Sequence, residues 1–341
     1  MKIRAWQLPF RIAGLLLAAQ SLAAQVGWTQ IDVPGTAPDA RVTSVALYYP
    51  TRASARAVSM GPFVLNVATQ AAPEASVKGL IMISHGVGGS ELGHSRLAEA
   101  LARRGYLVAA LRHPGDNWQD GSLLEKTPER YFYVRPRQVS HVLDALLLDP
   151  AWKDRIARDA RGPRVGVLGH SAGGYTVMAL AGAELDLDRL RGHCRDEAAQ
   201  DPLFCATGRS PSVTPPGQTP EARPQLKDAR VRAVAALAPV GVLFSAESLA
   251  RIQVPTTIYE AELDRWLVPR FHAEWIARNM PRAALHRVAN AWHFAFMDTP
   301  TMAIPTPDGD IAANPPGFDR AAFLAKLGEE LAAFYDKAFQ E

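Results

Sequence analysis

The sequence predicts an α/β fold in which helices cover both faces of a mostly parallel central sheet. Short apolar runs, as expected of strands buried on both faces, alternate along the chain with segments of helical periodicity. The chain has 341 residues and 48% of them are hydrophobic, so it can bury a large core. We find no internal repeat, and we expect one domain over residues 25–341.

The apolar runs give the predicted strands. The run at 79–84 is nearly all apolar, which is typical of a strand inside a parallel sheet. The same reasoning assigns strands to residues 42–50, 63–68, 79–84, 106–111, 164–168, 231–239, 255–260 and 284–288.

Helices are predicted between these strands, where apolar residues recur at helical spacing. Leu97 and Leu101 lie on one face of a helix that ends at 103–105. A long crossover helix has the apolar face Val139, Val142, Leu143, Leu146 and Leu147, and a terminal amphipathic helix has the face Leu324, Leu327, Leu331 and Phe334. Further helices are expected after Ser171 and at about 270–279.

The alternation is interrupted at about 184–228, where a polar segment contains a proline-rich run. We interpret this segment as an excursion over the sheet, similar to a lid, and not as a domain boundary. It contains the two cysteines of the chain, Cys194 and Cys205, and in an exported protein this pair predicts one disulfide that closes a local loop. His193 suggests a zinc site, but two cysteines and one histidine without a second pair are a poor zinc ligand set. We therefore predict no metal.

The first 24 residues have the organisation of a secretory signal peptide. Basic residues precede an apolar stretch at 12–19, and small residues follow, so we expect cleavage between Ala23 and Gln25. The apolar stretch is short for the roughly 20 residues that span a bilayer. The predicted location is therefore secreted or periplasmic, with no stable membrane insertion after the signal peptide is removed.

The charge balance gives no indication of a nucleic-acid partner. The chain has 37 Lys and Arg residues against 34 Asp and Glu, and residues 1–24 contain three basic and no acidic residues. Without them 34 residues of each sign remain, which favours a neutral small-molecule partner. The sequence does not predict the oligomeric state.

The segment Gly169-His170-Ser171-Ala172-Gly173 is the most informative motif of the chain. It follows a predicted buried strand and precedes a predicted helix, which is the context of a nucleophile elbow. The turn is so tight that side chains at 169 or 173 would collide with neighbouring backbone, and glycine removes the collision. Ser171 is therefore the candidate nucleophile, and the N–H of Ala172 is a candidate donor to an oxyanion.

A serine hydroxyl needs a positioned base, and the base needs an acid that orients it. When these groups follow an elbow serine, their order is acid and then histidine, and the acid ends a strand. Asp264 has this position after the strand at 255–260, whereas Glu262 and Glu260 are rival acids. Glu260 is the weaker rival because it still lies in the strand.

His293 has the position expected of the base, in a loop after the last predicted strand. His286 lies seven residues earlier but inside that strand, so a structural role is expected for it. The oxyanion needs a second donor, and the loop His85-Gly86-Val87-Gly88-Gly89 follows the strand that ends at Ser84. Its glycines let the backbone approach a substrate, so the Val87 N–H is the second candidate donor.

Other kinds of site are poorly supported. The loop at 85–89 lacks the glycine spacing of a dinucleotide-binding turn, and no phosphate-binding P-loop occurs, so we predict no cofactor. His113, Asp116, His141 and Asp144 are capable of binding metal, but they do not form a two-histidine helical motif.

These motifs make the chain resemble the α/β-hydrolase superfamily from about residue 42 to its C-terminus. Within it, the chain is similar to bacterial predicted dienelactone hydrolases, which are related to platelet-activating-factor acetylhydrolases. The carrying segments are 85–89, 112–117, 169–174 and 293–296. Dienelactone hydrolases in the strict sense use a cysteine nucleophile, whereas this chain has a serine there. The resemblance to the acetylhydrolases implies hydrolysis of short acyl esters.

The sequence therefore predicts a secreted serine hydrolase that cleaves small carboxylic esters through an acyl-enzyme. The residues expected to line its substrate site are Trp266, Leu267, Trp292 and Phe294. Two alternatives remain open: a peptidase or amidase that uses the same residues, and a non-catalytic binding protein on a hydrolase scaffold.

Overall fold

A computed structural model describes residues 24–36, 41–206 and 225–340. The predicted signal peptide lies outside the described residues except for Ala24, and so does the part of the excursion at 207–224.

The strands follow one another along the chain as short segments, most of them buried. They are β1 (Gln25–Val33), β2 (Thr43–Thr51), β3 (Arg56–Met60), β4 (Phe63–Thr69), β5 (Leu80–Ser84), β6 (Leu107–Arg112), β7 (Arg158–Asp159), β8 (Gly162–Pro163), β9 (Val165–His170), β10 (Val231–Leu237), β11 (Thr256–Ala261), β12 (Ala284–Val288), β13 (Pro305–Thr306) and β14 (Gly309–Asp310).

The helices alternate with the strands along the chain from β5 onwards. They are α1 (Ser95–Arg103), α2 (Ser122–Lys126), α3 (Pro128–Leu148), α4 (Ala172–Ala181), α5 (Leu187–Asp196), α6 (Pro202–Ala206), α7 (Ala246–Ala250), α8 (Ala273–Asn279) and α9 (Arg320–Ala338). Two short 3₁₀ helices cover Pro269–Phe271 and His293–Phe296.

Ten strands form one sheet in the order β12-β11-β10-β9-β5-β6-β2-β1-β4-β3. The strands from β12 to β6 are parallel to their neighbours, and antiparallel pairs join β6 to β2 and β2 to β1. The predicted mostly parallel sheet is therefore confirmed. Strands β1 and β3 were not predicted; β3 lies at the edge of the sheet and is largely exposed, so its sequence lacks the apolar run of a buried strand.

Apolar side chains fill both faces of this sheet. One cluster contains the buried residues of α3, α4 and α8, and a second cluster on the other face contains those of α1 and α9. Leu97 and Leu101 of α1 and Leu324, Leu327 and Leu331 of α9 are all buried, as their helical spacing predicts. Coverage of both faces by helices is therefore confirmed.

The parallel strands end at one edge of the sheet. Ser84 is paired with Gly169 and His170 with Leu237, while Ala261 at the end of β11 is paired with Val288. Because the carboxyl ends of parallel strands meet at the same edge, the loops that follow β5, β9, β11 and β12 gather there. These loops contain the candidate functional residues predicted from the sequence.

The excursion after α4 contains the short helices α5 and α6 within its described part. A disulfide joins Cys194 of α5 to Cys205 of α6, with the Cα atoms 5.3 Å apart, which confirms the predicted pairing. Among the described residues, no helix combines the length and the apolar composition that crossing a membrane requires.

Candidate active site

Ser171 lies at the sharp turn between β9 and α4. Its backbone has φ 57° and ψ −117°, a conformation that a residue with a side chain rarely adopts. Two backbone hydrogen bonds hold this strained residue in place. The Ser171 N–H donates to Leu237 O at the end of β10 (2.9 Å), and the Val240 N–H donates to Ser171 O (3.1 Å). The side chain of Ser171 is therefore fixed at the carboxyl edge of the sheet.

The glycines on either side of Ser171 are required by backbone contacts. A Cβ atom at Gly169 would lie 2.0 Å from the carbonyl oxygen of Gly173, and a Cβ atom at Gly173 would lie 1.8 Å from that of Ser84. Both distances are far below van der Waals contact, so the turn packs directly on strand β5. The collisions that the sequence predicts at these two positions are present in the structure.

His293 and Asp264 form a buried pair. The Nδ1 atom of His293 lies 2.8 Å from Asp264 Oδ2, and the other carboxylate oxygen accepts the N–H groups of Trp266 (2.9 Å) and Leu267 (2.8 Å). These contacts fix the carboxylate and, through it, the orientation of the imidazole. The pair leaves Nε2 of His293 as the ring nitrogen available for proton transfer.

The rival residues make other contacts. Glu262 is exposed and accepts the N–H of Asn290, while the carboxylate of Glu260 binds Arg287 at 2.7 Å. His286 is exposed on β12 and stacks on Tyr259, with ring centroids 4.6 Å apart. The structure thus brings Asp264, and neither glutamate, to the imidazole of His293.

The loop containing His293 is attached to the residue before Ser171. The Nε2–H of His170 donates to the carbonyl oxygen of His293 at 3.0 Å, and the two rings lie 4.9 Å apart. Within the described residues, the hydroxyl of Ser171 makes no hydrogen bond to His293. Hydrogen bonds of this kind are often long in ligand-free sites and tighten when substrate binds.

The glycine loop after β5 lies against Ser171. A Cβ atom at Gly86 would lie 3.2 Å from the Cβ of Ser171, so the loop backbone passes directly beside the candidate nucleophile. Gly88 has φ +63°, and its N–H donates to Asp116 Oδ1 at 2.9 Å. Val87, between them, is partly exposed at the rim.

A buried network that sequence reasoning missed holds this loop in place. Arg135 of α3 is fully buried and donates to Asp116, to the carbonyl oxygen of His85 and to Ser84 Oγ. Tyr131 donates to the same Asp116 carboxylate at 2.7 Å. The sequence identified Asp116 as a residue capable of binding metal and as part of the segment 112–117 that carries the family resemblance, but gave it no role in holding this loop, and no pattern in α3 identified Arg135.

Electrostatics keeps the network in a defined state. Burial raises the pKa of Asp116, but the Arg135 guanidinium, the Tyr131 hydroxyl and the Gly88 N–H together outweigh burial and hold that pKa below its usual value. Burial lowers the pKa of His85 to about 3 and that of His113 well below its usual value. Both imidazoles are therefore neutral near pH 7. The imidazole of His85 contacts Gly86 O through Nδ1, at 2.6 Å.

A cluster with metal-ligand chemistry lies under the excursion. Its members are His193, Asp201 and His272, whose ligand atoms lie within 4.8 Å of one another. The N–H of Gly241 donates to Nδ1 of His272 (3.2 Å), so the ring proton is on Nε2, which contacts Asp201 at 2.9 Å. A metal-bound histidine normally donates its second ring N–H. The His272 ring therefore has the contacts of a neutral imidazole bound to a carboxylate, and the cluster does not fit a metal ion.

Aromatic side chains surround the pair of Asp264 and His293. Trp266 lies 6.5 Å from the His293 ring and Phe294 lies 5.4 Å from it, measured between centroids, and Trp292 packs on Phe294 at 5.2 Å. The fourth residue expected to line a substrate site, Leu267, is buried in the core, and its N–H holds the carboxylate of Asp264.

Comparison with known proteins gives a structural likeness. No protein-family model matches the sequence, and no curated protein matches it. The structure of a ferulic acid esterase from Streptomyces cinnamoneus matches over 94% of this chain and 91% of that chain, with a TM-score of 0.59 and 21% sequence identity. At this identity the likeness concerns the fold alone, and it shows that the chain has the α/β-hydrolase fold.

Proposed function

We propose that this protein is a serine hydrolase that cleaves carboxylic esters through an acyl-enzyme. The observation that carries the proposal is a strained serine at a strand-to-helix turn, at the same sheet edge as a buried His293–Asp264 pair. A nucleophile, a base and an orienting acid are the three groups that this chemistry needs.

In the proposed reaction Nε2 of His293 takes the proton of Ser171 as Oγ attacks the acyl carbon. The tetrahedral intermediate then collapses, the bond to the alcohol breaks, and His293 returns the proton to the leaving oxygen. Water, deprotonated by the same imidazole, next attacks the acyl-enzyme, and the released Ser171 Oγ regains its proton. Asp264 holds the tautomer of His293 that can accept this proton and stabilises the imidazolium.

The N–H groups of Ala172 and Val87 are the proposed donors to the oxyanion. Ala172 is the first residue of α4, so its N–H has no partner in the preceding turn of its own helix. The approach of Gly86 to Ser171 supports Val87 as the second donor, because the backbone of this loop passes beside the candidate nucleophile. Each such donor typically stabilises a transition state by about 3 to 4 kcal/mol.

The proposed substrates are small esters with short acyl groups. The esterase named in the structural comparison supports ester hydrolysis. The resemblance of the sequence to platelet-activating-factor acetylhydrolases supports short acyl groups. We propose that Trp266, Trp292 and Phe294 line the substrate site, because Trp266 and Phe294 lie next to the His293 ring and Trp292 packs on Phe294. Leu267 has a supporting role, since its side chain is in the core.

We further propose that residues 1–24 are a signal peptide and that residues 25–341 form one hydrolase domain. The composition of the N-terminal segment supports export to the periplasm or outside the cell. The disulfide between Cys194 and Cys205 supports the same location, because disulfides persist in oxidising compartments.

Labelling with a fluorophosphonate, which phosphonylates activated serines, tests the proposal. We expect stoichiometric labelling of the wild-type protein and none of Ser171→Ala, with Ser90→Ala as a matched control near the same loop. A panel of p-nitrophenyl esters then measures turnover against acyl length, and rates should fall as the chain grows. An unlabelled wild-type protein would instead favour a non-catalytic binding protein, and labelling with turnover of amides but not esters would favour an amidase.

A further inference from the structure

A second carboxylate lies beside the His293–Asp264 pair. Asp308 is at the tip of the hairpin formed by β13 and β14, and its side chain is only 1% exposed. Within the described residues, neither of its oxygens accepts a hydrogen bond. Its polar contact is an ion pair of Oδ1 with Nε of Arg265, at 3.1 Å. A buried carboxylate with so few contacts is costly, which indicates a role for its charge.

The neighbours of Asp308 connect its hairpin to both loops of the proposed active site. Arg265, its ion-pair partner, directly follows Asp264. Gly309, which follows Asp308, packs on the ring of Trp292, the residue before His293: a Cβ atom at Gly309 would lie 3.2 Å from that ring. The hairpin therefore contacts both the loop of the acid and the loop of the base.

The hairpin is built to hold this position. The N–H of Asp308 donates to Thr306 Oγ1 at 3.2 Å. The carboxylate of Asp310 accepts the N–H groups of Ile304 (2.8 Å) and Ala312 (2.9 Å), which ties the two ends of the hairpin together. Asp310 thus has a structural role, and Asp308 does not share it.

Within the part of the chain that the structure describes, the titratable and charged groups near His293 are Asp264, Asp308 with its partner Arg265, and the ring of His170. Burial holds the pKa of His170 well below its usual value, so this ring is neutral. Burial raises the pKa of Asp308, the nearby Arg265 opposes this, and Asp264 and His293 also act on it electrostatically.

The buried anion dominates the ion pair's effect on His293. Asp308 is 1% exposed whereas Arg265 is 71% exposed, so water screens the arginine charge more strongly than the carboxylate charge. The field of the pair at His293 is therefore negative.

We propose that Asp308 is a positioning residue whose negative charge stabilises the imidazolium that forms when His293 takes the proton of Ser171. The inference rests on the proposed function, because it acts through that proton transfer.

The rate of fluorophosphonate labelling, measured against pH, tests the inference without a known substrate. The rate falls on the acid side as His293 becomes protonated and can no longer accept the serine proton. Removing the negative charge in Asp308→Asn disfavours the imidazolium, so the midpoint of the acid limb should move to lower pH by roughly half a pH unit. The plateau rate should fall roughly threefold, because a shift of half a unit in the pKa of the imidazolium corresponds to about a threefold change in its equilibrium constant.

Two further variants keep the test decisive. Arg265→Gln removes the cation of the pair, so its midpoint should move the opposite way, to higher pH and by less. It also serves if Asp308→Asn fails to fold. Asp310→Asn, on the same hairpin, should lower thermal stability and leave the midpoint unchanged. An unchanged midpoint in Asp308→Asn, or the same shift in Asp310→Asn, would overturn the inference, whereas an unlabelled wild-type protein would overturn the proposed function itself.

Discussion

Replacing Arg135 with methionine should be among the most damaging single changes outside the proposed catalytic residues. Methionine has a similar reach but no charge and no hydrogen-bond donor. The change removes the donors to Asp116, His85 O, Ser84 Oγ and Thr176 Oγ1. Asp116, which is 1% exposed, then keeps two hydrogen-bond partners among the described residues, the Tyr131 hydroxyl and the Gly88 N–H.

The expected cost follows from the burial of both charges. Removing one member of a buried ion pair typically costs about 3 to 5 kcal/mol, because the other charge stays buried without compensation. A domain of this kind has a total stability of roughly 5 to 15 kcal/mol, so Arg135→Met removes a large fraction of it. Asp116→Asn should also destabilise the protein. The double variant should lose less than the sum of the two, since no unpaired charge remains.

Urea unfolding followed by far-UV circular dichroism measures these free energies, and the proposed ester hydrolysis gives a second measurement. Because Asp116 holds the turn that carries Val87, Arg135→Met should also lower kcat/KM by roughly tenfold, or about 1.4 kcal/mol in transition-state stabilisation. A cost below about 1 kcal/mol, or costs of the two single variants that simply add, would refute the reasoning about the buried pair.

Three further changes have defined outcomes. Gly173→Ala places a Cβ 1.8 Å from Ser84 O, so the variant should fail to accumulate as folded protein, as measured by soluble yield against Gly192→Ala, where a Cβ would make only ordinary contact. Replacing Cys194 and Cys205 with serine should lower the free energy of unfolding by roughly 3 kcal/mol in urea titrations. Two histidines hold the pKa of buried Asp201 at about 2 although burial opposes this. Its contribution, about 2 kcal/mol above pH 4, should vanish as the pH falls towards 2, so wild-type and Asp201→Asn stabilities should converge there.

The parallel half of the sheet was predictable from the sequence because its strands are buried on both faces. Strands such as β5 and β10 are apolar at nearly every position. Such short and continuously apolar segments are typical of strands inside a parallel sheet. The antiparallel edge was harder. The exposed residues of β3 and the mixed pattern of β1 have no apolar run, so only their partners in the sheet define them as strands.

The proposed active site was predictable where local sequence dictates geometry, and not where distant segments meet. Glycines around Ser171 mark a turn that no other residue allows, so the motif alone identifies it. Arg135 and Asp308 carry no such mark. Arg135 acts because α3 crosses the sheet beside the loop after β5, and Asp308 acts because a hairpin folds back on the loops after β11 and β12. Contacts of this kind depend on the assembled fold.

The excursion that the sequence suggests as a lid is, in its described part, fixed to the loop of the proposed acid. Asp201 is fully buried between His193 of α5 and His272, the residue directly before α8. The ring of His193 also packs on Phe271, with centroids 4.6 Å apart. Because the disulfide closes the chain around Asp201, these contacts reinforce one another and hold α5 and α6 against the segment that precedes α8. A substitution of Asp201 should therefore disturb the position of Asp264, which precedes His272 in the same loop, more than the position of Ser171.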